Sequence, residues 1–335
     1  MKIPKFLKII FYIILTIIII ILLTVIAYVI YLVADYKRLD DNIQLYIDVR
    51  GNITGAVSTD TLYSIMTFNI GFGAIEDDYD FFMNGGKRSW AKSEEALDLN
   101  MKGIANDIMN LTTDFMLLQE VDVDGTRTYH FNELDYLEKT LEYGNYAFAQ
   151  NYDSSFLFYP FYEPHGANKA GILTGTSFNI TDSIRRKLPI ATNINKFFDL
   201  DRCYSMTHIP VDNGKNLTIF NLHLSAHGGN VEIREKQVKM LSIDMEREMK
   251  SGNYVICLPA NTTFGFEVAK AYNIDNDSCR NINAPYEKGV TFTVLLDGFI
   301  ISSNIEVESY KSVGWEFKRS DHNPIYMKFK LKKKE

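Results

Sequence analysis

A series of apolar runs in this chain ends in polar residues whose types suit one kind of chemistry. Thr67-Phe68-Asn69-Ile70-Gly71 closes one run, Leu118-Gln119-Glu120-Val121-Asp122 a second and Phe220-Asn221-Leu222-His223-Leu224 a third. Tyr254 to Leu258 leads into Pro259-Ala260-Asn261. A later segment carries Leu296-Asp297-Gly298, and Arg319-Ser320-Asp321-His322-Asn323-Pro324 precedes the last apolar run. A strand end is a rigid platform on which side chains from distant positions can converge. Carboxylates, amides and imidazoles gathered there suit a hard divalent cation and a phosphate. Mg²⁺ takes one or two carboxylate oxygens, keeps waters and shares the rest of its shell with phosphate oxygens. Each piece also has a plain structural reading. Gln119-Glu120 would serve as a surface turn, Asn69 as a turn cap and His223 as a satisfied core histidine. Ser320-Asp321-His322 is the most specific of the set.

The elements that must position these residues alternate along the chain. Leu62–Ile70, Asp114–Val121, Asn216–Leu224, Tyr254–Leu258 and Val294–Ser302 read as buried strands. Short strands also fit Tyr146–Ala149, Phe156–Tyr159 and Ile325–Phe329. Leu97, Met101, Ile104, Ile108 and Leu111 fall on one helical stripe, and Leu134/Leu137/Leu141 and Val238/Leu241/Met245 mark two further helices. Helices interleave with strands, so the class is α/β or α+β with extensive sheet.

The amino-terminal region is of another kind. Ile9 to Ala34 is uncharged, and its 26 residues would span about 39 Å as a helix, enough to cross a bilayer core of about 30 Å with tilt. A cleaved signal peptide has a shorter apolar core and a small-x-small site, whereas Val25-Ile26-Ala27-Tyr28 is bulky at that place. The expected organisation is a basic cytoplasmic segment (1–8), a transmembrane helix (9–34), a stalk (35–60) and one domain (61–332). Lys2, Lys5 and Lys8 favour an inside amino terminus and an extracytoplasmic domain, making a single-pass membrane protein.

Composition bounds the rest. At 46% hydrophobic and 23% charged residues the chain is not a disordered one. Three cysteines exclude a disulfide framework, and their spacing matches no zinc pattern. Net charge is −7, but the first 38 residues hold five of the 35 bases and one of the 42 acids. That leaves 30 bases against 41 acids, or −11, on the remainder. So acidic a body disfavours tight binding of nucleic acid, without excluding a nuclease that works through a metal.

Taken in order, Thr67-Phe68-Asn69, Gln119-Glu120-Val121, Asn221-Leu222-His223-Leu224, Asp297-Gly298-Phe299-Ile300 and Ser320-Asp321-His322-Asn323-Pro324 resemble the endonuclease/exonuclease/phosphatase superfamily. This superfamily includes pancreatic-type deoxyribonucleases, apurinic endonucleases, inositol polyphosphate 5-phosphatases and neutral sphingomyelinases. The resemblance covers about Leu62 to Lys330. It implies a four-layer α/β/β/α sandwich with the site at one rim. It also implies Mg²⁺ (Mn²⁺ as the alternative) on Glu120, with Asn69 beside it and Asp321 as a further ligand. By the same resemblance His322 faces the scissile phosphate, Asp297 orients His322, His223 contacts phosphate and Asn261 donates to a phosphate oxygen.

One motif departs from the family pattern. Where the family has Gly-Asp-Phe-Asn, this chain has Leu258-Pro259-Ala260-Asn261. The missing Asp is the group expected to position or deprotonate the attacking water, and proline offers neither a side-chain acceptor nor an N–H. A positioned base contributes about 10²–10⁴-fold, so two readings stand: an impaired phosphoester hydrolase, or a pseudoenzyme that binds a phosphorylated ligand or partner. Glu267, Asp275 and Asp277 lie further along and do not hold the lost position. Arg202 and Tyr152 are candidate phosphate contacts, although Arg202 beside Asp201 equally suits a surface ion pair. Phe156, Phe158, Tyr159, Phe161 and Tyr162 form an aromatic cluster that suits either a core or a lipid surface. Asn-x-Thr occurs at Asn52, Asn110, Asn179, Asn216 and Asn261, in keeping with chance in an Asn-rich chain.

Overall fold

The computed structural model describes residues 4–50, 55–197, 199–225, 231–258, 269–272 and 278–333. The chain divides into two units, Met1–Arg38 and Leu39–Glu335. The first is a single helix, α1 (Lys5–Asp35), whose apolar side chains other than Leu32 are largely exposed. Its 31 residues are long and apolar enough to cross a membrane, as an anchor or as a signal sequence. Within it the Thr24 hydroxyl donates back to Ile20 O (2.9 Å), which satisfies a polar group that lipid cannot.

The second unit holds two seven-stranded sheets. Its first strands are β1 (Ile43–Gln44), β2 (Ile47–Val49) and β3 (Leu62–Asn69). There follow α2 (Glu94–Leu111), β4 (Phe115–Gly125), α3 (Glu133–Thr140), β5 (Asn145–Asp153), β6 (Asn168–Thr176), β7 (Asp182–Lys187), β8 (Cys203–Pro210) and β9 (Asn216–Leu222). The chain continues through α4 (Val231–Lys250), β10 (Tyr254–Cys257), β11 (Ala269–Tyr272), β12 (Cys279–Arg280), β13 (Thr293–Val294), β14 (Phe299–Ser302), β15 (Ile305–Ser312) and β16 (Ile325–Leu331). One sheet runs β1-β7-β8-β9-β10-β14-β11 and the other β15-β16-β3-β4-β6-β5-β2, while β12 and β13 form a separate ribbon.

Period-2 alternation makes the layers. On β3 and β4, Tyr63, Ile65, Phe115 and Leu117 face the opposite sheet, where they share one core with Leu217 and Ile219 of β9. The intervening Met66, Phe68, Met116 and Leu118 face outward under Leu97, Met101, Ile104 and Ile108 of α2 and Leu137 of α3. Leu241 and Met245 of α4 cover the outer face of the other sheet. Ser93 caps α2 by accepting from Ala96 N (3.1 Å), and Asn132 caps α3 by accepting from Asp135 N (2.9 Å). The result is the expected four-layer α/β/β/α sandwich.

Three local expectations differ. Residues 43–49, placed in a stalk, supply β1 and β2 at an edge of each sheet. Their side chains are half exposed, which conceals an edge strand in a polar sequence. The run Val294–Ser302 is two strands, because Leu296 N and Asp297 N leave the ladder and donate to Ser278 Oγ (2.9 Å each). Phe156–Tyr159 is not a strand. It opens an aromatic loop in which Pro160 has no N–H to give a ladder. At the outer edge, β15 carries Glu306, Glu308 and Lys311 and a bulge between Val307 and Ser309.

A charged knot ties α4 to the sheet below it. Glu248 Oε2 faces His208 Nε2 at 3.1 Å and accepts from Thr218 Oγ1 (3.1 Å) and Asn253 Nδ2 (2.8 Å), while His208 Nδ1 faces Asp182 at 3.0 Å. Burial opposes the charge on both rings of contact. It is outweighed by the two carboxylates, which raise His208, and by His208 with the two donors, which bring Glu248 to about 2. The lowered carboxyl stabilises fully above its unfolded pKa near 4.5, and its contribution is lost as pH falls toward 2. The raised imidazole stabilises fully below its unfolded pKa near 6.5, and its contribution is lost as pH rises through the folded value. Glu248→Gln should therefore cost about 2 kcal/mol between about pH 4.5 and 6.5, with a smaller deficit on either side. Urea unfolding of both proteins across pH checks this, and a deficit independent of pH would refute it.

Candidate active site

Strand direction explains why distant residues meet. Strands β3 and β4 run parallel, as do β9 and β10; Asn69 ends β3, His223 follows β9, and Glu120 leaves β4 at a mid-strand bulge level with Asn69. Strands β8, β14 and β16 run antiparallel to those neighbours, so Arg202, Asp297 and His322, which lie just before them, arrive at the same rim. There a cavity of about 560 Å³ is lined by Asn69, Glu120, Arg202, His223, Asp297, Asp321 and His322. Asn261, with Pro259 and Ala260, lies outside the described residues, as do Glu267, Asp275 and Asp277.

The two sheets are joined beneath the cavity by buried amides. Asn221 on β9 donates from Nδ2 to Leu173 O (3.0 Å) and Leu118 O (3.3 Å) of the opposite sheet. Its Oδ1 accepts from Gln119 Nε2 (2.9 Å), which also donates to Thr67 Oγ1 (3.2 Å). With Gln119 committed to the interlayer, the next residue is turned by a bulge in the β4–β6 ladder between Leu118 and Val121. Glu120 itself has φ 56, a left-handed conformation that costs a non-glycine residue on the order of 1–3 kcal/mol. The bulge aims its carboxylate into the cavity.

There Asn69 Nδ2 donates to Glu120 Oε1 (2.8 Å), and Asn69 Oδ1 accepts from Gly71 N (3.0 Å). His223 Nε2 stands 3.6 Å from the same Glu120 oxygen, and His223 Nδ1 is buried with no hydrogen-bond partner among the described residues. Burial, with Arg202 nearby, depresses His223 to about 4. Burial alone would raise the Glu120 carboxyl, but His223, the Asn69 amide and Arg127 hold it below the usual carboxylate range.

The second half of the site is a turn held on α2. Asn100 Nδ2 donates to Arg319 O and to Gly73 O (2.9 Å each), and Arg319 Nε donates to Asp107 (2.8 Å). Gly103 makes room for that guanidinium, since a Cβ there would lie 2.2 Å from it. Ser320 Oγ then donates to Asn69 O (2.8 Å), tying the turn to β3. His322 Nδ1 meets Asp297 Oδ2 at 2.7 Å, and its Nε2 is 4.0 Å from Asp321 Oδ2. Burial disfavours charge on His322, but the carboxylates of Asp297 and Asp321 outweigh it and raise the imidazole well above its ordinary value. Burial, and then the Glu120 charge, raise the Asp321 carboxyl.

Two partly buried carboxylates facing one cavity repel each other, and a hard cation would relieve that repulsion. The oxygen donors Glu120 and Asp321 fit Mg²⁺. Asn69 turns its NH₂ toward Glu120, which makes it a support for that carboxylate in this arrangement. Cys279 Sγ lies with ligand atoms of Asp321 and His322 within 4.8 Å, but burial keeps the thiol protonated, the wrong donor for a hard ion.

Sequence reasoning offered Arg202 as a phosphate contact and, equally, as a surface partner of Asp201. The structure buries Arg202 at the cavity wall, where it donates to Leu224 O (2.8 Å) and to Asp199 (3.0 Å). Tyr152 also lines the cavity, beside Arg127. Three contributors escaped notice. Arg127 is buried in a two-pronged pair with Asp122 (2.9 and 2.6 Å), Ser278 fixes the backbone at Asp297, and Arg280 N donates to Asp321 O (2.9 Å). The Asp122 that follows Gln119-Glu120-Val121 was the one signal for Arg127, as a buried acid needs a partner.

No family model and no curated protein matches this chain. Solved structures do match. The endonuclease/exonuclease/phosphatase from Beutenbergia cavernae superposes with a TM-score of 0.57 at 13% identity, covering 81% of this chain and 72% of that one. The human Nocturnin catalytic domain, solved with a bound sulfate anion, gives 0.54 at 14% identity over 86% and 97%. An endonuclease/exonuclease/phosphatase family protein from Leptotrichia buccalis gives 0.53 at 14% over 80% and 100%. The body therefore has the endonuclease/exonuclease/phosphatase fold, a likeness of architecture at these identities.

The amide joint can be tested alone. Asn221→Leu strands the Gln119 amide and two carbonyls in an apolar layer and should cost about 3 kcal/mol in urea unfolding. A loss below about 1 kcal/mol would show that the joint does not hold the sheets.

Proposed function

We propose that this protein is a membrane-anchored, Mg²⁺-dependent phosphodiesterase or phosphatase-like hydrolase of the endonuclease/exonuclease/phosphatase superfamily, its turnover impaired by Pro259. The observation that carries this reading is the meeting of Glu120, Asp321, His223 and the Asp297–His322 pair around one cavity. Bound Mg²⁺ on Glu120 and Asp321 would draw charge from the phosphoryl oxygens. Asn69 holds Glu120 in place for that task. Asp297 binds the Nδ1 side of His322 and favours the charged ring, so Nε2–H is available to a phosphoryl oxygen as water attacks phosphorus in line. The new P–O bond forms as the ester P–O bond breaks, and the leaving oxygen departs with a proton. His223, neutral at pH 7, suits a hydrogen bond to phosphate, and Arg202 lies on the same wall. Asn261 is proposed as a further donor.

The apolar helix serves as the anchor, with the amino terminus cytoplasmic and the body outside. The −11 charge of the body favours a small or surface-bound phosphate ester over nucleic acid. Pro259, in place of an Asp, favours a second reading in which the cavity only binds a phosphorylated ligand or partner.

One comparison separates the two. The full chain in detergent with Mg²⁺ should hydrolyse bis(p-nitrophenyl) phosphate slowly, lose this with EDTA, and fall about 10²-fold or more with His322→Ala. Pro259→Asp combined with Leu258→Gly and Ala260→Phe should raise kcat about 10²–10⁴-fold. An inert parent with an active triple variant supports the binding reading, and inactivity of both overturns the hydrolase reading.

A further inference from the structure

One nucleophilic side chain at the cavity has no part in the chemistry above. Cys279 is a free cysteine, 8% exposed, and it lines the cavity together with Asp321 and His322. Among the described residues, these three make up the one group of His, Cys, Asp or Glu whose ligand atoms all lie within 4.8 Å of one another.

The backbone puts them there. Cys279 and His322 face each other in an antiparallel bridge. Arg280 N donates to Asp321 O (2.9 Å) and Asn323 N to Ser278 O (2.7 Å), so the hydrogen bonds flank the pair instead of joining it. In such a pair the Cα atoms are about 4.5 Å apart and the two side chains stand close on one face. Main-chain bonds thus hold the thiol beside the imidazole. The histidine is already set as a ligand. Its Nδ1 meets Asp297 Oδ2 at 2.7 Å, which leaves Nε2 for a cation, 4.0 Å from Asp321 Oδ2. A carboxylate behind a histidine fixes the ring and strengthens it as a metal ligand. Asp297 is held in turn, as its N donates to the Oγ of Ser278 (2.9 Å), the residue before Cys279.

Sulfur, imidazole nitrogen and carboxylate oxygen are the donor set of Zn²⁺, which in open sites takes three protein ligands and keeps a fourth position for water. With bonds of about 2.3 Å to sulfur and about 2.0–2.2 Å to nitrogen and oxygen, a tetrahedral ion holds such atoms about 3.3–3.6 Å apart. The present separations need to close by no more than about 1.5 Å, within reach of side-chain rotation. Mg²⁺ has no use for a thiol, so the sulfur makes this set selective between the two ions. A neutral thiol sits in an apolar wall at little cost and loses its proton to an ion that binds sulfur. Cysteine spacing carries no trace of the site, because one ligand of the three is a cysteine and the other two lie far along the chain.

We propose that Cys279, Asp321 and His322 form a binding site for Zn²⁺, and that zinc held there withdraws His322 from the reaction. On binding, the S–H bond of Cys279 and the N–H bond at His322 Nε2 break, Zn–S and Zn–N bonds form, and both protons go to water. Nε2 then has no hydrogen to offer a phosphoryl oxygen, so zinc inhibits Mg²⁺-dependent hydrolysis. The zinc site stands on its own geometry; its effect on turnover rests on the hydrolase reading above.

The untagged full chain in detergent, stripped with EDTA and freed of it, is titrated with Zn²⁺ against a chromophoric chelator, and with Co²⁺ as a visible probe of the same site. Expected are one Zn²⁺ per chain, held against excess Mg²⁺, and a near-ultraviolet thiolate-to-Co²⁺ charge-transfer band. Cys279→Ser should remove the band and weaken zinc about 10²-fold or more, and Asp297→Asn should keep the band and weaken zinc about 10-fold. Cys203→Ser, at a buried thiol that does not line the cavity, should change neither. Absence of the band in the parent, which needs no variant to read, or equal zinc affinity in the parent and Cys279→Ser, overturns the site. With saturating Mg²⁺, zinc should cut hydrolysis of bis(p-nitrophenyl) phosphate about 10-fold or more, read on the Pro259→Asp triple variant where the parent is inert. A thiolate-bound ion with unchanged or faster turnover overturns the withdrawal of His322. Inactivity of both proteins counts against the hydrolase reading, and the band and the affinities then decide the zinc site by themselves.

Discussion

A few buried amides in an otherwise apolar interlayer decide where everything at the rim sits. Asn221 reaches across from one sheet to carbonyls of the other and takes a hydrogen bond from Gln119. In a medium of low dielectric each of those groups must be paired, so the two sheets have one admissible relative register. Gln119 is thereby spent on the interlayer, and the chain must turn in the left-handed region to bring Glu120 to the cavity. The strain at Glu120 is local and the constraint that imposes it is global. Ser320 completes the scheme by binding Asn69 O, so the carboxyl-terminal turn moves with the first strand of the body.

Charge at the rim follows the same logic. Glu120 and Asp321 are brought together by strand direction, and among the described residues neither is paired with a lysine or arginine at the cavity. Arg127 is committed to Asp122, Arg319 to Asp107, and Arg202 leans on Asp199 and a carbonyl. The positive charge that reaches the cavity from His322 is anchored from behind by Asp297. The arrangement leaves negative charge in front and donors around it, which is the polarity that a cation bridging to an oxyanion requires.

The sandwich and most of the convergent residues were legible because buried strands show as apolar runs and their ends show as abrupt polar motifs. Asn69, Glu120, His223, Asp297, Asp321 and His322 all sit in such motifs. Strands β6 to β8 were less visible. Asn168–Thr176 contains two glycines and Asp182–Lys187 has a single apolar residue, Ile184, so neither reads as a run. Edge strands β1 and β2 hide in polar sequence for the same reason. The supporting residues Ser278, Arg127 and Arg280 lie in loops or one step off a motif, where only the three-dimensional partner reveals their use. The aromatic loop misled as a strand because periodicity cannot distinguish rings that face a core from rings that face solvent.

The far edge of the second sheet has a consequence for crowding. Strand β15 is long and largely exposed, yet it is bulged between Val307 and Ser309 and bears Glu306, Glu308 and Lys311. Chains held on a common surface collide edge to edge far more often than chains in free solution. A flat, apolar border would let neighbouring sheets zip into ribbons, whereas a kinked border with mixed charge makes that docking sterically poor and electrostatically costly. Copies of the body can thus crowd together without joining their sheets.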